Sequence, residues 1–418
     1  MKTTTQEIDN ALSPHGGELI DRIVTDREKA TELVNNCVGV LRIRGQAARE
    51  IINIAYGFFT PLKGFMNRKD LESVCKNMTL ADGLVWSLPI VLDLPESAVE
   101  QTGAKPGDYV LLEYHNIPFA VMKVDDIYTF DINYMVSCIY KKENVDHPGI
   151  KQMHSLDNYF MGGDIWLINL PVFQEPYRRF FYTPAELRDK FKRRRWNRVL
   201  AYHSNTVPHM GHEWLMKACW FQHKANAILV SCTVGSKRIG ECIDENVLLA
   251  HQELLESGYF KENVYMTSMF LWDTRYAGPR EAVLHAIVRK NMGCTGHIFG
   301  KNYARPEEYG NAWESHFAFR HLPDLGVESV MSKEWYYCEH CGGITYSSFC
   351  NHKGGQEPFQ SKNVCSLLGA GVRPPDHLLR KEVFDTVIGA SDEYGFKDGY
   401  VTDEYLQRRN PIFILERF

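Results

Sequence analysis

From Thr183 onward the chain alternates apolar strands with helices, and this alternation constrains the fold more than any other feature. Thr183-Pro184 opens a helix, since proline suits the first helical position, and a basic helix then runs through Arg195. Arg198-Val199-Leu200-Ala201-Tyr202 reads as a strand, a second helix is expected from about Glu213, and Ala227-Ile228-Leu229-Val230 reads as another buried strand. Strands separated by helices pair in parallel through right-handed crossovers, so an open α/β nucleotide-binding domain is expected over 183–326.

His209-Met210-Gly211-His212 falls at the junction of that strand and helix. A helix start presents free N–H groups and favours an anion before any side chain contributes. Two imidazoles three residues apart can clamp a triphosphate and stabilise charge developing at its α-phosphorus, and Gly211 would let the chain pass close to that ligand. Two ordinary surface histidines are the alternative reading of the same four residues. No Walker-type glycine-rich loop occurs, so phosphates must be held in another way.

At 418 residues and 44% hydrophobic, the chain implies two or three domains. Its net charge of −5 argues against a general nucleic-acid or membrane binder, so neither partner is expected. Met1 to Asn10 is polar and lacks an apolar signal region, no apolar run is long enough to span a bilayer, and a cytoplasmic location is expected. Residues 1–182 read as a β-rich domain with strands at Trp86–Leu92 and Tyr109–Tyr114 and a turn at Lys105-Pro106-Gly107-Asp108. The remainder, 327–418, carries a cysteine cluster and a helical part. In it Cys338, Cys341, Cys350 and His352 form a C-x2-C-x8-C-x-H knuckle, with His340 as the alternative nitrogen ligand. A closed Cys3His set suits structural Zn2+, whose removal is expected to loosen this part without touching the chemistry.

Taken together, these residues resemble the ATP sulfurylase (sulfate adenylyltransferase) family. Ser13–Leu19 resembles its Pro-His-Gly-Gly opening, and Gly57–Met66 its Ser-Pro-Leu-x-Gly-Phe-Met turn. The most specific stretch is Arg275–Ala282, followed by His285-Ala286 and Arg289–Thr295. The knuckle and Ser361–Val383 resemble the closing parts of some members. The resemblance implies a PUA-like N-terminal domain, an HxGH nucleotidyltransferase domain and a small C-terminal subdomain, commonly in a homo-oligomer. It also implies transfer of AMP from ATP to sulfate with release of pyrophosphate, with Mg2+ accompanying the nucleotide. His209 and His212 would stabilise the phosphates, with Ser204, Asn205 and Thr206 at the family's catalytic triplet. His203, Gly211, Gly300, Lys301, Asn302, Tyr303 and Arg280 would bind nucleotide. His203, Asn205, Ala304 and Arg305 would hold the acceptor.

Two motifs depart from the family. Its Gln-x-Arg-Asn is His203-Ser204-Asn205-Thr206 here, and its Gly-Arg-Asp-His-Ala-Gly is Gly300-Lys301-Asn302-Tyr303-Ala304-Arg305. Asparagine in place of the sulfate-binding arginine forfeits a charge-assisted pair of roughly 1.5–3 kcal/mol. Three readings follow. Sulfate is retained with His203, Lys301, Arg305 and the Lys237-Arg238 cations rebuilding the site; or the acceptor is a phosphonate, phosphate ester or carboxylate, with the nucleotide base also open; or the chain is a silent nucleotide-binding relative. Asp273 is expected to pair with Arg275, Trp196, Trp214 and Trp220 to pack in the core, and Cys294 to be a buried small residue.

Overall fold

The computed structural model describes residues 12–141, 146–305, 311–394 and 399–416; Met1 to Asn10 lie outside them. The N-terminal strands are β1 (Cys37–Arg42), β2 (Gly64–Phe65), β3 (Leu92–Leu94), β4 (Tyr109–Tyr114), β5 (Ile117–Thr129) and β6 (Tyr159–Leu167). They form a sheet of order β1-β4-β5-β6-β2, with β3 also on β6, antiparallel except where β1 meets β4. The expected strand at Tyr109–Tyr114 is present as β4. The one at Trp86–Leu92 is not: only its last residue enters β3, and Trp86 turns inward to donate its indole N–H to the Leu88 carbonyl at 2.8 Å. Pro89 and the burial of its neighbours favour this packed, irregular path over a ladder.

After β7 (Val172–Phe173), the helix Pro184–Arg194 begins as expected, with Thr183 and Glu186 in a reciprocal capping box. The next strands are β8 (Val199–Ser204), β9 (Ala227–Val234), β10 (Tyr265–Leu271), β11 (Gly296–Phe299) and β12 (Glu328–Met331). They make a parallel sheet of order β10-β9-β8-β11-β12. Strands β9 and β10 are buried at every position, as expected for a sheet covered on both faces. The fifth strand lies beyond the expected boundary at Gly326, so the sheet draws on residues first assigned to the C-terminal part. β13 (Trp335–Cys338), β14 (Gly343–Tyr346) and β15 (Gln356–Pro358) form a small antiparallel sheet, and β16 (Phe413–Ile414) returns to pair with β7.

The strand order reverses between β8 and β11. At such a switch point the loops beyond the strand ends part and leave a crevice. Residues 205–209 follow β8 and residues 300–305 follow β11, so the topology brings both rewritten motifs to one crevice.

Arg280 is not there. Its guanidinium donates to the carbonyls of Val74 at 2.8 Å, Cys75 at 2.7 Å and Ser87 at 3.3 Å, and Ser87 Oγ donates back to the Arg280 carbonyl at 2.6 Å. The expected nucleotide ligand is instead a clamp between domains, because these carbonyls occupy its Nη1 and Nη2 donors. Arg280→Met should lower unfolding free energy by about 2–4 kcal/mol, leaving buried carbonyls unpaired, with ATP affinity unchanged. Urea denaturation and calorimetric ATP titration check the two halves of that expectation.

Candidate active site

The helix Met210–Gln222 starts three residues earlier than expected, because His209 is its N-cap. The His212 N–H donates to His209 Nδ1 at 3.4 Å, and the His209 N–H donates to His212 Nδ1 at 3.5 Å. This is a capping box made of imidazoles, its rings stacked 3.7 Å apart. Both Nδ1 atoms accept, which puts each ring's proton on Nε2. Burial holds His209 well below the usual histidine range and His212 down to about 4, so both rings are neutral donors near pH 7.

The C-terminal part closes on this helix start. Met210 N–H donates to the Leu378 carbonyl at 2.9 Å, so one expected anion donor already has a partner. Ser361 Oγ lies 3.2 Å from His209 Nε2, and the Phe359 ring stacks on His209 with centroids 5.5 Å apart. A Cβ on Gly211 would sit 2.6 Å from that phenyl ring, so this glycine makes room for Phe359 and not, as expected, for a ligand. Glu213, buried in the next position, is held by Arg380 at 2.9 Å.

The β8 loop presents its residues unequally. Ser204 Oγ is tied to His251 Nε2 at 2.8 Å and donates to the Thr206 carbonyl at 3.0 Å, which tightens the turn. Asn205 is exposed and Thr206 half-buried. His203 packs between His285, at 4.6 Å, and Tyr303, at 5.4 Å. Beyond β11, Gly300 begins a turn in which Asn302 and Ala304 take left-handed φ of 54° and 52°. That turn sends Tyr303 inward, its hydroxyl 2.9 Å from His285 Nδ1 and 2.6 Å from His297 Nε2.

The cations expected to replace the missing arginine all have carboxylate partners. Lys301 pairs with Glu334 at 2.7 Å, Arg305 with Glu314, Lys237 with Asp244 at 2.6 Å, and Arg238 with Glu241 at 3.0 Å. Asp273 pairs with Arg49 of the N-terminal domain at 2.7 Å rather than with Arg275, which takes Glu50. Cys294 is buried as expected; Trp214 is 40% exposed and lies against Trp335 instead of in the core. Sequence reasoning missed Arg289, His251, Phe359 and Ser361. Only Arg289, a cation among apolar residues on a helix, left a visible signal.

Cys338, Cys341, Cys350 and His352 converge, with His340 outside the set. Their sulfurs lie 3.6 and 3.7 Å apart along Cys338-Cys350-Cys341, and His352 Nδ1 is 3.3–3.5 Å from all three. Zinc–sulfur bonds of about 2.3 Å in a tetrahedron require sulfur separations near 3.8 Å, so the donor set fits zinc.

The ATP-sulfurylase family model matches residues 178–390, and a PUA-like domain model matches 12–170. The chain belongs to the ATP-sulfurylase family. Sulfate adenylyltransferase of Thermococcus onnurineus (strain NA1) is 34% identical over 376 residues, covering 90% of this chain and 97% of that protein. Its counterpart from Aeropyrum pernix (strain K1) is 35% identical over 385 residues, covering 91% and 99%. The fold also matches a solved chain titled hexameric APS kinase from Thiobacillus denitrificans, with TM-score 0.70 and 21% identity over 90% of this chain and 68% of that one. No helix among the described residues is long and apolar enough to cross a membrane.

Burial lowers the pKa of seven histidines among the described residues of this ATP-sulfurylase domain, His316 among them. His203, His209, His285 and His297 lie well below the usual value, His212 at about 4 and His251 at about 3. Below pH 6.5 the unfolded chain binds protons that the native one refuses, so the histidine contribution is full above that pH and declines as pH falls towards about 4. Glu50, raised to about 7 by burial, acts in the opposite sense, as do Glu213, Glu253 and Glu281, which burial also raises, but these four are outnumbered by the histidines. The urea midpoint should therefore fall steadily between about pH 7 and 5; a midpoint constant across that window would contradict the buried neutral assignment.

Proposed function

We propose that the protein transfers AMP from ATP to sulfate, forming adenosine 5′-phosphosulfate and pyrophosphate, as its relatives' names describe. The observation that carries this reading is the pair of neutral Nε2–H donors, His209 and His212, held by their reciprocal cap at the switch-point crevice. Neutral donors aimed at a phosphate gain strength as charge develops there and need no proton transfer. Sulfate is already deprotonated, so the residues have only to position and to stabilise. His209 and His212 bind the phosphates, and a phosphate oxygen takes the place of Ser361 at His209 Nε2. Thr206, Gly300 and Asn302 line the nucleotide side, and His203, Asn205 and Ala304 the acceptor side, with Ser204 bracing the turn, while Tyr303, bonded to His285 and His297, and Arg305, paired with Glu314, shape the wall. Mg2+ enters with the triphosphate and offsets its charge. The enzyme acts in the cytoplasm as a homo-oligomer, a reading supported by family custom and the hexameric structural neighbour.

His209→Ala should cut turnover by on the order of 100-fold while circular dichroism stays native, since it removes a donor used chiefly in the transition state. A wild-type rate of pyrophosphate release in that variant would overturn the assignment. Wild-type release with a phosphonate or carboxylate but not sulfate would instead identify a different acceptor.

We also infer structural Zn2+ at Cys338, Cys341, Cys350 and His352. The contacts of Phe359 and Ser361 with His209 replace the expectation that zinc removal leaves the chemistry alone, since β15 runs from the knuckle into both residues. Cys341→Ser should lower bound zinc, open the C-terminal part to protease and reduce turnover together. Unchanged turnover in zinc-depleted protein would uncouple the knuckle from the site.

A further inference from the structure

Arg289 sits on the helix Pro279–Asn291 and is fully buried beneath His203. Its guanidinium lies over the Phe270 ring at 4.7 Å and donates to Ser231 Oγ at 3.1 Å and to His203 Nδ1 at 3.2 Å. Nε and Nη1 find no partner, and among the described residues no carboxylate pairs with this arginine. A buried, uncompensated cation is costly, and it persists where the surrounding site is built for an anion. This one lies behind the position that corresponds to the family's sulfate-holding glutamine. The other cations near the rewritten motifs are spent on Glu334, Glu314, Asp244 and Glu241.

The contact with Arg289 also decides what His203 can do. A guanidinium only donates, so Nδ1 must accept and the ring proton resides on Nε2. There, among the described residues, it meets only Thr233 Oγ1 at 3.3 Å, a hydroxyl that lies closer, at 3.1 Å, to Nδ1. The remaining groups around the ring are His285 on the helix of Arg289, His297 on β11, Tyr303 beyond β11 and Lys237 beyond β9; the first three are bound to one another through the Tyr303 hydroxyl and Lys237 to Asp244. None of them supplies a negative charge that would draw a proton onto His203.

We propose that Arg289 is the positioning residue of the acceptor subsite: its donation to Nδ1 fixes His203 as a neutral Nε2–H donor to the acceptor oxyanion, and its unpaired charge supplies the positive field that Asn205 does not. This inference rests on the sulfate reading above. It also places the oxyanion's countercharge behind the crevice wall, from the opposite element to the arginine of the family motif.

The test is steady-state pyrophosphate release with sulfate varied at saturating MgATP, from about pH 6 to 8, for wild type, Arg289→Met and Arg289→Lys. Wild type should show a sulfate KM insensitive to pH. Arg289→Met should raise the sulfate KM by about tenfold or more with the MgATP KM little changed, and that KM should improve towards pH 6 as the released His203 gains a proton. Arg289→Lys, which keeps a charge and a donor, should recover most of the loss. A sulfate KM in Arg289→Met that matches wild type, or a general loss in both substrates without pH dependence, overturns the proposal. If Arg289→Met does not fold, His203 variants take its place: His203→Gln, which can both accept from Arg289 and donate onward, should raise the sulfate KM several-fold less than His203→Phe, which can do neither. Equal behaviour of those two overturns the proposal. Wild type silent with sulfate would instead sink the functional reading; 15N spectra of labelled histidine then decide the inference alone, since a proton on His203 Nδ1 is incompatible with it.

Discussion

The pairing of β8 with β11 is the constraint on which the site depends. Leu200, Ala201 and Tyr202 register against Gly296, His297 and Ile298, and a Cβ on Gly296 would come within 2.7 Å of the Leu200 side chain. Only with the strands in this register do the two loops that depart from the family emerge next to each other. The rest of the fold supports that junction. The all-buried β9 and β10 fix one side, and the N-terminal domain grips the other elements through Arg280, Arg49–Asp273 and Arg275–Glu50. These contacts are largely desolvated, so their value lies in specifying one arrangement of the domains more than in net stability.

The histidines illustrate how position sets chemistry. His209 and His212 cap a helix with Nδ1 each, which leaves the proton on Nε2, while burial keeps both rings uncharged. In the proposed reaction, phosphate recognition would rely on oriented neutral dipoles, with the formal charge left to the metal that accompanies the nucleotide. The proposed acceptor side shows the same pattern: Lys301, Arg305, Lys237 and Arg238 are paired with carboxylates, and the Arg289 guanidinium beneath His203 is not.

Much of this was legible in the residues. The strand and helix alternation from Thr183, the knuckle at Cys338 to His352 and the junction at His209 depend on local periodicity and spacing, which a sequence displays directly. What escaped was decided by distant partners. Arg280 belongs to a run that matches the family, yet its donors are taken by Val74, Cys75 and Ser87 some two hundred positions away. Gly211 looked like a ligand-facing glycine because nothing local announces Phe359. Lys301 and Arg305 looked like replacements for a lost arginine, but glutamates outside the motif had claimed them. The β12 strand, short and half-exposed, carried too weak a pattern to be assigned to the sheet.

The small pairing of β16 with β7 has a consequence for how the molecule is made. Asn169 donates to the Glu416 carbonyl at 2.9 Å across 247 residues of chain, and Val172 and Phe173 wait for Ile414 and Phe413. At ~5–20 residues per second, the ribosome needs roughly 12–50 s to deliver those partners after the linker has emerged. Throughout that interval the segment joining the two large domains presents an unpaired strand edge, and it is a stretch a nascent-chain chaperone would have reason to cover.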